Sequence, residues 1–109
     1  MTTPILSALA LAVLNAGLLT QAVIDNKKLS QEFLESQIDE SKTVYTKIGD
    51  RIVHCTLTTK TGFTVTGEAV CVSATNFNEK TGQAIAYDNA FDKLWLPYGF
   101  LLHQVLNAD

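Results

Sequence analysis

Basic charge is scarce in this chain. Eight lysines and arginines stand against eleven aspartates and glutamates over 109 residues, a net charge of -3. That argues against a protein that grips nucleic acid by neutralising phosphates. The acidic excess is itself too small and too dispersed for a DNA-mimicking surface. Cysteine is almost absent. Cys55 and Cys71 sit inside candidate strands without CxxC spacing, so they read as small buried hydrophobes, with a disulfide the weaker alternative. Only His54 and His103 could join them as ligands, so neither a metal nor a cofactor is expected. Signature motifs are missing too: no glycine-rich nucleotide-phosphate loop, no HExxH, no GxSxG. There are no repeats and no low-complexity tracts. What remains is 47% hydrophobic, too apolar for disorder. Its length suits a single domain, residues 1–109, with a core that requires no metal or disulfide.

Residues 4–24 are mostly apolar, PILSALALAVLNAGLLTQAVI. No Lys or Arg precedes Lys27, so the basic start of a signal peptide is missing. Ser7, Asn15, Gly17, Thr20 and Gln21 interrupt the stretch, so no membrane span is expected. Thr3 followed by Pro4 predicts a helix start. Leu6, Leu9, Val13 and Ala16 form one stripe of this helix, and Leu11, Leu14 and Leu18 another. A helix apolar all round must be buried all round. In so small a domain that favours a second subunit, so we expect homo-oligomerisation through Leu6, Leu9, Val13, Leu14 and Leu18. Weak membrane association is the lesser alternative. Ser30 then caps a predicted second helix over about 31–40. Leu29 and Leu34 have hydrophobic-staple spacing, and Phe33, Leu34 and Ile38 face inward.

Residues 43–72 read as a three-stranded β-meander. Thr43–Ile48 alternates, Gly49-Asp50 turns the chain, and Arg51–Thr59 and Phe63–Val72 follow. If Thr61-Gly62 forms a two-residue turn, Cys55 faces Glu68, His54 faces Ala69 and the two cysteines lie on opposite faces. Asn76, with Glu79 three residues on, predicts a capped helix running to about Leu96. Tyr87, Ala90, Phe91, Leu94 and Trp95 are its apolar stripe; Asp88, Asn89, Asp92 and Lys93 take the other side. Gly82 inside it suggests close approach of a neighbouring backbone. Pro97 should end the helix, and Leu101, Leu102, Val105 and Leu106 should form a short last one, completing a helical pair over 76–107. The class is α+β, an antiparallel meander packed against helices in the order α-α-β-β-β-α-α.

Few residues point to chemistry. His54, Cys55 and Glu68 resemble a nucleophilic set, but neighbours in a strand point to opposite faces, so an enzyme is not expected. Glu68 either faces the core with a partner such as Arg51, or faces solvent. Trp95 and Tyr98 read as core packing or as a stacking platform, Asn89 and Lys93 as a solvated face or a pocket lip. The candidate binding residues are Arg51, Glu68, Asn89, Lys93 and Tyr98.

The combination of Gly62-Phe63-Thr64-Val65, Gly67-Glu68-Ala69, Asn76-Phe77, Gly82, Ala84-Ile85-Ala86, Asn89-Ala90, Lys93-Leu94-Trp95 and Gly99-Phe100-Leu101-Leu102 resembles a small tailed-phage protein family. That family is named for coliphage N-four and Shigella phage Sf-six, and the resemblance covers roughly residues 50–106. It implies a phage accessory protein in the host cytoplasm, with no catalytic residues to carry over. Two departures are visible: Thr61-Gly62 where the family shows Asn-Gly, and Tyr98 where it often has an acid. The expected function is non-enzymatic contact with a host protein, altering host physiology or defence. The alternative is an oligomeric sponge for a nucleotide immune signal, with Lys60, Lys93 and Arg51 holding phosphates.

Overall fold

The structure, a computed structural model, describes residues 7–108. In chain order its elements are α1 (Ala8–Asn15), α2 (Gln21–Asn26), α3 (Gln31–Ser36), β1 (Val44–Ile48), β2 (Ile52–Thr58), β3 (Thr64–Val70), α4 (Glu79–Asp92) and α5 (Trp95–Asn107). Short 3-10 turns at Glu40–Lys42 and Ala74–Asn76 join them. The class is α+β, and the strands form one antiparallel meander in the order β1-β2-β3. The chain falls into two compact units: one of residues 37–95, the other of the residues up to Ser36 with those from Leu96 on.

In the second of these units, the helix predicted over residues 4–24 is two helices. The Ser7 hydroxyl accepts from the Ala10 amide at 3.0 Å and caps α1. Gly17, at φ 73°, then stops it. The Gly17 amide donates to the Leu14 carbonyl and the Leu18 amide to Val13, both at 3.1 Å, the paired bonds of a helix-ending turn. The Thr20 hydroxyl restarts the chain as α2 by accepting from the Val23 amide at 3.2 Å. The Thr3-Pro4 start lies outside the described residues. In α3 the Ser30 hydroxyl accepts from the Phe33 amide, as predicted, but the helix ends at Ser36 rather than near residue 40. Strand-like bonds replace its last turn: Asp39 donates to the Thr58 carbonyl and Lys60 to Gln37, each at 2.9 Å, with Ile38 bridged to Thr59.

Pro97 does not end a helix. It lies in the first turn of α5, where an amide proton would have no intrahelical partner to lose. The break falls earlier, at Lys93 and Leu94, whose amides close back on Ala90 and Phe91. Trp95 therefore opens α5, and Tyr98, Leu102 and Val105 are the buried residues of that helix.

In the sheet unit the β2–β3 loop is one residue longer than predicted. Thr58 faces Thr64 and His54 faces Glu68. The Thr59 amide donates to the Phe63 carbonyl at 2.8 Å, leaving Lys60, Thr61 and Gly62 as the loop. Gly62 adopts φ 95°, which fits a three-residue loop with a left-handed last position. This shift puts Cys71 on the same side as Cys55 by alternation, not on the opposite one. Val53, Cys55, Leu57, Val65 and Ala69 are buried, and α4 packs on this face. The helix sits directly over Gly67. A Cβ there would fall onto the Ala90 nitrogen and within 2.5 Å of the Ala86 carbonyl oxygen. The close backbone approach expected at Gly82 thus belongs to Gly67, whereas a Cβ at Gly82 would meet only the Val53 side chain, at 3.0 Å, and more distantly Phe77. Asn78, not Asn76, caps α4, its side-chain oxygen accepting from the Thr81 amide at 3.0 Å.

Candidate functional site

Of the predicted binding residues, Glu68 and Asn89 meet. Glu68 is exposed on β3, and the Asn89 side-chain amide donates to its backbone carbonyl at 2.7 Å. Arg51 lies in the β1–β2 turn with Asp50 as its ionic neighbour at 3.8 Å, and Lys93 is exposed at the end of α4. Lys60 stands beyond the far end of β2 from Arg51, roughly 30 Å away at the rise of an extended strand. These cations do not converge within one chain. Tyr98 belongs to the other unit, where it is 8% exposed and meets Phe33 edge-to-face at 5.9 Å between centroids. Burial pushes its phenol above the usual tyrosine value. Tyr98, one of the two departures from the resemblance, is therefore a buried residue here.

His54 is half-buried and Cys55 fully buried on the opposite side of β2, as alternation requires. Desolvation, and then the charge of Glu40, push the Cys55 thiol upward, away from the thiolate that nucleophilic chemistry needs. Of the predicted self-association residues, Val13 is buried inside its own unit, Leu9 is 38% exposed, Leu14 and Leu18 are half-buried, and Leu6 lies outside the described residues. Leu11 is exposed beside them. Among the described residues no helix is long and apolar enough to cross a membrane, and no three metal-ligating side chains are grouped.

A site that the sequence did not disclose lies where β3 runs out beneath the start of α4. Ala69, Val70 and Cys71 form one wall, and Asn76, Phe77, Asn78, Thr81, Gly82 and Ile85 the other. The cleft holds about 230 Å³, below the roughly 300–1,000 Å³ typical of small-molecule pockets. Its walls are mostly apolar. Val70 is 67% exposed, Ile85 48%, and the neighbouring Val72 94%. At the floor the Cys71 amide donates to the Arg51 carbonyl at 2.7 Å and its thiol to the Ser73 carbonyl at 3.0 Å. Phe77 is held by the Lys47 ammonium, 4.7 Å from its ring centroid. The wall residues are separated by the 3-10 turn in sequence, so only packing of α4 onto Gly67 assembles them. No pattern in the sequence marked the cleft in advance.

The sequence signature of the Phage protein (N4 Gp49/phage Sf6 gene 66) family matches residues 19–106. The chain belongs to that family. The match takes in α2, α3, the whole sheet, α4 and nearly all of α5, and so begins well before the residue-50 limit of the resemblance. Only α1 and its flanks stand apart from it. The cleft of this phage protein lies wholly within the family region. No curated protein and no solved structure matches the chain. A wider hollow of about 560 Å³, formed by α2, α3 and their connection, also falls in the family region. Its walls carry one cation, Lys28, beside Glu32, a poor setting for several phosphates.

Proposed function

We propose that this phage protein is a non-enzymatic accessory protein that acts in the host cytoplasm, on host physiology or host defence, by protein–protein contact. The observation that carries the reading is the β3–α4 cleft. It is apolar, too small for a nucleotide, and lined in part by the exposed Val70 and Ile85. Exposed apolar clusters with a polar border mark contact surfaces in soluble proteins. Asn76, Asn78 and Thr81 provide that border. A single aliphatic or aromatic side chain of a partner fits the cleft, the arrangement of an interface anchor. Self-association through Leu9 and Leu11 of α1 would present several such clefts at once, raising avidity without new contacts.

The test is quantitative capture from host lysate with the tagged full chain and a Val70→Asp/Ile85→Asp variant. We expect one or a few host proteins to be retained by the parent and lost from the variant, with the variant's circular dichroism unchanged. Equal capture by both proteins would remove the cleft from the reading. Thermal stabilisation by cyclic or linear nucleotides at high excess would favour the nucleotide-sponge alternative instead.

A further inference from the structure

Each outer strand of the sheet turns a row of backbone groups outward. In β3 the odd-numbered residues bond to β2, as the Cys71–Arg51 and Phe63–Thr59 pairs show. The backbone groups of Thr64, Thr66, Glu68 and Val70 therefore point outward, and the Asn89 side chain occupies one of them, the Glu68 carbonyl. By the same alternation β1 turns the backbone groups of Val44, Thr46 and Ile48 toward β2, and those of Tyr45 and Lys47 outward. None of the bonds found among the described residues closes these outward groups. All five residues of β1 are exposed, and three of them, Val44, Tyr45 and Ile48, are large and apolar. Proteins usually blunt such an edge with proline, a bulge or a charge. β1 has no proline and pairs with β2 without a bulge. Its single charge, Lys47, is drawn beneath its own sheet onto the Phe77 ring.

We propose that β1 pairs antiparallel with β1 of a second copy of this chain, about a two-fold axis through Thr46. This surface goes beyond the cleft reading and uses no residue of α1. The register follows from complementarity. An axis at Thr46 sets Tyr45 against Lys47 of the other copy, so the outward backbone groups of both strands are satisfied together. On the face away from α4 it sets Val44 against Ile48, both β-branched and apolar, a favourable cross-strand pair. An axis at Lys47 would oppose two like charges, and an axis at Tyr45 would leave Lys47 against Thr43, whose amide is already bonded to Glu40. The strand is short, so the dimer is concentration-dependent rather than obligate.

Thr46 is exposed and would lie against itself in a close, non-hydrogen-bonded pair. Full-length parent, Thr46→Lys and Thr46→Glu are compared by sedimentation velocity, with circular dichroism as the control for folding. The parent is expected to dimerise with rising concentration. Each variant alone is expected to be monomeric where the parent is dimeric, and an equal mixture of the two to recover the dimer. A parent that stays monomeric at its highest soluble concentration overturns the proposal. So does a variant that dimerises as well as the parent, which would place self-association on another surface, such as Leu9 and Leu11. Failure of the mixture to recover the dimer overturns it as well.

Discussion

Gly67 is the residue that decides how closely helix and sheet approach. Its hydrogen stands where any side chain would collide with helix backbone, including the Asn89 carbonyl carbon at 2.7 Å. Backbone cannot rotate away as a side chain can. Gly82 is the instructive contrast, because its tight neighbour is the methyl of Val53. We expect Gly67→Ala to lose about 3 kcal/mol or more, the upper range of overpacking, measured by urea denaturation. Gly82→Ala should change stability little, since a helix-propensity gain of about 1 kcal/mol offsets a small shift of Val53. Sequence alone placed the close approach at the wrong glycine. A glycine inside a helix is conspicuous, while one inside a strand rich in Thr and Val looks incidental until the helix is laid across it.

At the scale of elements, strand alternation and capping residues were readable. All three strands, the Ser30 cap and the buried Ala90 and Phe91 of α4 lie where the pattern puts them, but the stripe stops short: Leu94 falls in the break, and Trp95, expected in the core, opens α5 and is 37% exposed. Errors came where two local solutions were equally good. Asn76 and Asn78 are both capping residues, and what selects Asn78 is Phe77 tucking under the sheet near Val53 and Lys47. Two-residue and three-residue loops both use Gly62, and the choice depends on Thr59, whose hydroxyl accepts from the Phe63 amide at 3.1 Å. The cleft was not readable, because its walls meet only through tertiary packing. Asn78→Ala should cost about 1 kcal/mol, the usual effect of losing a helix cap. Asn76→Ala should stay within about 0.5 kcal/mol, as for exposed sites without such a role. Paired thermal melts of the two variants distinguish the caps.

For the molecule as a whole, the buried acids set an alkaline limit. Cys55 and Tyr98 both hold their protons more tightly when folded than when unfolded, chiefly through burial. Their contribution is complete below the unfolded thiol value of about 8.5, and is lost as pH rises through the raised folded values. The urea midpoint should be flat from near neutral to about pH 8 and fall beyond it. Cys55→Ala should be less stable at neutral pH but show a shallower early decline, because the raised phenols of Tyr45 and Tyr98, which titrate later than a thiol, are what remain. The Asn89 bond to the Glu68 carbonyl also has a meaning at this scale. It removes one acceptor from the β3 edge, while a two-fold β1–β1 pair would use the β1 edge of both copies at once. Growth through β1 would therefore close after a single step, and an unguarded apolar strand need not run on into a fibre.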